Sequence, residues 1–423
     1  MNILLVNTSE REGGAAIAAS RLCEALGNNG VKAKMLVARK TSGNISVADA
    51  GRHLQMQSNF VRERLTILAA NKFHKYRLFE TDAAKYGLDI TELDEFREAD
   101  LIHLHWINQG LLSIGGIAKI VRSGKPVVWT MHDMWPFTGI CHTTLGCERF
   151  KAECGQCPML YGGGSPRDLS RHTFLRKQKL YSSAVPITFV ACSDWLAGCA
   201  RSSALLGGKR VVSIPNPINS RLYAPRPRAA ARRALSLPQG KTLLLFAAYR
   251  ITNKNKGFDY LCEAIRLLAD KHPDIASSLA LVAVGRESEA LKPLLPIEVC
   301  SMGYVSNENT MIDIYNACNM FLIPTLQDNL PNTVMEAMAC GVPCVAFNVG
   351  GIPQMISHRE DGYIAEYKNA DDFAAGIMWC MNPQNAATLP EKARAKVCAA
   401  FSETAVARKY SDLYKSLLGG RDE

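Results

Sequence analysis

Residues 324–341, PTLQDNLPNTVMEAMACG, constrain this chain more than any other stretch. The apolar run 320–323 just before them reads as a buried strand. A polar turn through Pro331 then leads into a helical run over 332–340, with Gly341 placed to cap it. Strand, tight loop and helix start in that order make an anion site, because first-turn amides and the helix dipole both favour a phosphate or diphosphate. Two carboxylates flank the site, Asp328 in the loop and Glu336 within the helix. Their spacing lets one face a sugar and the other a ribose, while the amides between them hold phosphates. The plain alternative is an ordinary βα unit whose loop happens to be acidic.

The same stretch resembles the signature of the retaining GT-B glycosyltransferases of glycosyltransferase family 4, in which two glutamates are separated by seven residues. Asp328 stands at the first glutamate position and Glu336 at the second, so the shorter acid departs from the pattern. The resemblance, to bacterial capsule and exopolysaccharide (colanic-acid-type) members in particular, implies an α/β GT-B fold of two doubly wound Rossmann-like domains facing a cleft. It assigns Asp328, Asn329, Leu330, Asn332, Thr333 and Glu336 to a nucleotide-sugar donor.

Length agrees with two domains, since 423 residues exceed one typical α/β core. Hydrophobic content of 48% with 21% charged residues describes a globular chain with large cores. No apolar run approaches the ~18 residues that span a bilayer. The opening MNILLVNTSE turns polar too soon for a signal peptide and reads as a first strand, so a cytoplasmic location is expected. In that compartment most of the fourteen cysteines should be buried thiols.

The formal charge of +10 points to an anionic partner: phosphate ligands, a membrane face or nucleic acid. No nucleic-acid motif accompanies it. Residues 60–79, FVRERLTILAANKFHKYRLF, mix basic and apolar side chains at roughly helical spacing. Two readings stand: a segment in peripheral contact with an anionic bilayer, at the inner face of the cell membrane, or a packed helix with a solvated basic face.

The first domain is expected over 1–217. Its first strand, 3–6, hands over to a helix at Gly13 and Gly14, where glycines let a ligand approach the backbone. A dinucleotide fingerprint needs a third glycine and an acid after strand 2; here Arg39 and Lys40 follow that strand, which disfavours NAD. Strands at 34–38, 101–106, 127–132, 187–193 and 210–216, with helix-like segments between most of them, argue a parallel sheet. His132 and Asp133 fall at a strand end, the ligand edge of an open α/β sheet. The resemblance gives His132 a contact with the donor sugar. His103 and His105 share one strand face and read as core or cleft lining.

Residues 138–160 carry Cys141, Cys147, Cys154 and Cys157 in a C-x5-C-x6-C-x2-C spacing. Four thiolates so close suit a structural tetrahedral zinc, with His142 as a substitute ligand. Disulfides or plain buried thiols are the alternatives.

A Pro- and Arg-rich composition around 219–237 places the domain boundary near 218. The second domain is expected over 218–395, with 396–423 crossing back as a helix, the crossing being implied by the resemblance alone. Arg250 and Lys256-Gly257 follow its first strand, 242–249, and match the family's Arg…Lys-Gly segment. Two cations there neutralise a diphosphate, Arg250 as a fork and Lys256 as a point charge, with Lys254 as a rival. A short strand ending at Gly303-Tyr304 puts Tyr304 near the nucleotide base.

The reading that results is a hexosyltransferase-type enzyme that moves a sugar from a nucleoside-diphosphate donor to a glycan or lipid-linked acceptor, with retention of configuration, in cell-surface polysaccharide synthesis. His132, Arg250, Lys256 and Asp328 carry the catalysis in this reading, with Gly13 and Gly14 at the donor. Cationic side chains and helix amides stabilise the leaving diphosphate, so no catalytic metal is required. The rivals are a GT-B nucleotide-sugar epimerase and a non-catalytic GT-B binding protein.

Overall fold

The structure, a computed structural model of the chain, describes residues 1–183 and 185–419. The chain divides into two compact units, Met1–Pro217 with Glu403–Glu423, and Ile218–Ser402.

Seven strands build the first unit's sheet: β1 (Asn2–Ser9), β2 (Lys32–Arg39), β3 (Val47–Asp49), β4 (Leu101–Leu104), β5 (Val127–Met131), β6 (Ile187–Ala191) and β7 (Val211–Ser213). Their spatial order is β3-β2-β1-β4-β5-β6-β7, every pair parallel. A parallel sheet is covered on both faces, and the apolar runs of these strands supply both cores. Along β1, Leu4 and Val6 enter one cluster while Ile3 and Leu5 enter the other, as the two-residue strand period dictates. The closing helix Glu403–Leu418 belongs to the second of those clusters. It places Val406, Tyr410 and Tyr414 beside Leu22 and Leu26 of the helix Gly14–Asn28.

The second unit's sheet has six strands: β8 (Thr242–Arg250), β9 (Leu279–Arg286), β10 (Glu298–Gly303), β11 (Met320–Ile323), β12 (Cys344–Phe347) and β13 (Tyr363–Ala365). Their order is β10-β9-β8-β11-β12-β13, again parallel throughout. Both sheets reverse their strand order at one place, between β1 and β4 in the first and between β8 and β11 in the second. In open α/β sheets such switch points open a crevice at the carboxyl ends of the strands. The helix Pro383–Ala400 runs through residue 396 inside the second unit, so the return to the first unit begins at Glu403.

One helix departs from expectation. The helical segment near 60–79 starts earlier, at His53, and stops at Ala70. Lys72 and Phe73 then adopt left-handed backbone, with φ of 53° and 63°, which no helix tolerates. Among the described residues no helix is long and apolar enough to cross a membrane.

Candidate active site

At the second unit's switch point, the turns after β8 and β11 are stitched together by backbone bonds. The carbonyl of Asn255 accepts from the amide of Leu326 at 2.9 Å and from the hydroxyl of Thr325 at 3.1 Å. Gly257, at φ +77°, lies so close to Pro324 that a Cβ would overlap its carbonyl oxygen. Gly350, at φ +58°, stands in the same relation to the carbonyl of Asp328. Only glycine meets both requirements, a left-handed backbone and no side chain.

This stitching sets the charges. Lys256 Nζ lies 2.7 Å from Asp328 Oδ2, with the lysine more exposed than the acid. Arg250 Nε lies 3.3 Å from Glu287 Oε1, and the Thr252 hydroxyl donates to the same carboxylate. Lys254 is exposed in the same turn. Just beyond Asp328, the helix Asn332–Ala339 begins after Pro331, and Leu330 is buried while Asn329, Asn332 and Thr333 are partly exposed. The first turn of a helix presents amides that have no intrahelical acceptor. Glu336 faces inward, 7% exposed, and accepts from the phenol of Tyr315 at 2.8 Å. The edge therefore combines two ion-paired cations, a helix start and a carboxylate held by a buried tyrosine.

Tyr304 is exposed and sits edge-on to Tyr249, ring centroids 5.6 Å apart. The guanidinium of Arg286 lies 4.8 Å from the Tyr249 ring and 5.7 Å from that of Tyr304. This cation–π cluster at the ends of β8, β9 and β10 was not foreseen beyond Tyr304. Its one signal in the sequence is Gly285 before Arg286, whose φ of +145° lets the backbone pass against the carbonyl of Ala248.

In the first unit, Gly13 has φ +89° and open space around it, and Gly14 starts the helix behind it. Glu10 fixes this loop by accepting from the amide and hydroxyl of Thr41 at 2.5 and 2.9 Å. Burial works against its charge, yet the Ser42 and Thr41 donors bring it down to about 2. His132 follows β5, and its Nε2 lies 2.9 Å from His105 Nδ1. His103 bonds Tyr414 and Thr130, each at 2.7 Å. Desolvation pulls His132 down to about 4 and His103 to about 3, so this histidine row is neutral at pH 7.

Beside the row lies a charged one. His142 places Nδ1 2.7 Å from Asp133 Oδ2 and Nε2 2.9 Å from Asp82 Oδ2. Burial opposes its charge, but the two carboxylates outweigh burial and raise it to about 10. A ring with a carboxylate at each nitrogen is an imidazolium. Asp133 also accepts from the Trp106 indole at 3.0 Å, and Asp82 pairs with buried Arg64.

The zinc expectation is corrected. Among the described residues no three His, Cys, Asp or Glu side chains are arranged to hold a metal ion. Cys141, Cys147, Cys154 and Cys157 are all free thiols lining one cavity of about 20 Å³. Cys141 and Cys157 pack with Ile140, Met159 and Leu160, and burial pushes Cys141 up to about 12 and both Cys154 and Cys157 to about 11. Protonated, buried thiols behave as small apolar groups. The substitute ligand, His142, is committed to its two carboxylates.

Two family models together match most of the chain: "Glycosyltransferase Family 4" over residues 12–222 and "Glycosyl transferases group 1" over 241–382. An uncharacterized glycosyltransferase of Haemophilus influenzae is 35% identical over 144 residues, which is 33% of this chain and 40% of that protein. The putative colanic acid biosynthesis glycosyl transferase WcaC of Escherichia coli is 25% identical across 82% of this chain and 83% of its own. Among solved structures, HepE (Alr3699) of Anabaena in complex with UDP and glucose superposes with a TM-score of 0.63. Its identity is 16%, over 98% of this chain and 100% of that one. With two parallel α/β sheets, as the GT-B fold has, and both family models in place, the chain belongs to glycosyltransferase family 4, a family of retaining glycosyltransferases.

Proposed function

We propose that this nucleotide-sugar-dependent transferase moves a hexose from a nucleoside-diphosphate donor to a glycan or lipid-linked acceptor, in the synthesis of a cell-surface polysaccharide. The observation that carries the reading is the Lys256–Asp328 pair, stitched to the start of the helix Asn332–Ala339 at a sheet switch point. An arriving diphosphate gives Lys256 a second anion and Arg250 an alternative to Glu287, so negative charge that builds on the leaving group is met by cations already in place. Helix amides add to this, which suits a family that typically works without a metal. With no second carboxylate assigned as a nucleophile, retention follows a front-face course. The departing phosphate oxygen takes the acceptor's hydroxyl proton on the face from which it leaves.

Asp328 and neutral His132 orient the donor sugar, Glu336 holds ribose hydroxyls, and Tyr304 with Tyr249 receives the base. Gly13 and Gly14 give the donor a close backbone approach. UDP is the first nucleotide to test, because HepE was solved with UDP and glucose. The E. coli relative's putative role in colanic acid synthesis supports the exopolysaccharide setting.

Thermal unfolding against a panel of nucleotides tests the donor. A ligand bound only by the folded protein stabilises it by about 2.7 kcal/mol at 100 times its Kd. UDP-hexose should then release UDP only when acceptor is present, giving a product whose anomeric configuration matches the donor's by NMR. Folded protein that no nucleotide stabilises overturns the reading, and release without acceptor reassigns the chain to donor rearrangement.

A further inference from the structure

We propose that the outer face of the helix His53–Ala70, with the turn that follows it, docks on an anionic lipid bilayer. The helix is polar where it should be apolar. Its buried face carries Asn59, Glu63 and Arg64 beside Met56 and Ile67. Those polar groups are spent on holding the chain ahead of them. Glu63 accepts from the amides of Ala83, Ala84 and Lys85 at 2.6–3.1 Å, and Arg64 donates to the carbonyl of Leu78 at 2.6 Å. The outward face carries large apolar side chains among its polar ones. Leu54, Val61 and Leu65, at intervals that make one helical stripe, are 84%, 52% and 55% exposed.

The turn continues the stripe with Phe73 and Phe79, 77% and 64% exposed. Their exposure is built in rather than incidental. Asn71 donates to the carbonyl of Tyr76 at 2.7 Å and accepts from the amide of Tyr161 at 2.9 Å, and the His74 ring stacks on Tyr161 at 3.7 Å. The left-handed backbone of Lys72 and Phe73 is thus fixed from both sides, and it turns the ring outward.

Charge selects the occupant. Arg62, Lys72 and Lys75 are exposed among these side chains, and within residues 53–80, all of them described, the one exposed acid, Glu80, is already paired with Arg77 at 2.9 Å. A second copy docking through the same face would bring the same cations against these. An anionic headgroup layer meets the cations, while the acyl boundary beneath takes up the aromatic and aliphatic side chains.

Flotation of the full chain with vesicles tests this without any sugar chemistry, so its outcome is separate from that of the transferase reading. Vesicles of phosphatidylcholine with phosphatidylglycerol should carry the protein at low salt, and phosphatidylcholine alone should not. Salt at ~0.5 M should release it, because the Debye length shrinks to a few Å. F73S/F79S and K72Q/K75Q should each weaken binding by about tenfold or more while circular dichroism and nucleotide stabilisation stay as in the parent. No flotation at low salt, equal binding to neutral vesicles, or full binding by both variants overturns the proposal. Concentration-dependent dimerisation that F73S/F79S abolishes, without flotation, would assign the face to a second copy instead.

Discussion

The two units each gather polar groups toward the carboxyl edge of their sheet and use them in opposite ways. In the first unit, His103, His105, His132, His142, Asp133, Asp82 and Arg64 are largely buried and partner one another. In the second, Arg250, Lys256, Asp328 and Glu287 lie partly exposed in turns held by glycines. Buried charges are costly to leave alone, so a network of this kind settles into fixed protonation states and a fixed shape. Partly exposed pairs are held weakly and exchange partners readily. Under the proposed function, the first edge is a scaffold for what it presents, and the second is a surface on which a ligand would rearrange charge.

The sharpest break of this contrast is His142→Leu. It leaves Asp133 and Asp82 without the imidazolium between them, and removing one partner of a buried charge set costs about 3–5 kcal/mol. Urea unfolding should show that loss, with nucleotide stabilisation of the remaining folded protein unchanged. A loss below about 1 kcal/mol would mean that the network is no scaffold. Next in size, Gly350→Ala pushes a Cβ into the carbonyl of Asp328 and displaces the acid beside Lys256. Misplacing a positioning group by about 1 Å costs about 100-fold in rate. Transfer should fall by that order, and urea unfolding should show a loss of about 1–2 kcal/mol or more from the left-handed backbone that alanine tolerates poorly.

Smaller still is the effect of removing charge from the open edge. Lys256→Ala should weaken nucleoside-diphosphate binding by about tenfold, at the lower end of what one charge-assisted bond contributes. Asp328→Asn should do the opposite for the nucleotide alone, because Lys256 loses its resident anion, while transfer falls. Calorimetry with UDP separates the two. Parallel losses of binding in both variants would show that the pair acts as a unit and not as an exchangeable one.

What the sequence made legible follows from range. The strand at 320–323 and the helix starting at Asn332 stand where the apolar run, Pro331 and Gly341 place them, because strand, stop and cap are local signals. The alternating βα order announced both parallel sheets, although the three-residue edge strands β3 and β13 were too short to show a period. The pairings inside the two charged networks were hidden for the opposite reason, although the resemblance had named Arg250, Lys256 and Asp328. Asp82 and His142 lie 60 positions apart, and Lys256 and Asp328 72 apart, so nothing local announces either pair. The cysteines misled because residue type and spacing suggest a ligand set, whereas convergence of the sulfurs is decided by packing. The end of the helix at Ala70 was equally hidden, since Lys72 and Phe73 are left-handed without being glycine.

The gentlest probe of the scaffold is pH, and it works because two of its buried cations are shifted in opposite directions. His142 is raised to about 10 in the folded chain. Above its unfolded value of about 6.5 only the folded state keeps that proton, so its stabilisation is lost steadily as pH rises towards 10. Lys177 donates to the carbonyls of Trp135, Thr138 and Gly139 at 2.5–3.2 Å, and burial pulls it down to about 7. Above that value the unfolded state binds the proton more tightly than the folded state, so this group makes stability rise with pH. Between about pH 7 and 9 the two slopes oppose each other at up to ~1.4 kcal/mol per pH unit each. The buried thiols ionise in the unfolded chain near about 8.5, inside this window, and add the same fall with pH to parent and variants alike. Set against the parent's profile in urea, His142→Leu should therefore rise with pH, and Lys177→Met should fall. A His142→Leu profile parallel to the parent's would mean that the histidine carries no extra proton, and the buried edge would then be held by neutral hydrogen bonds alone.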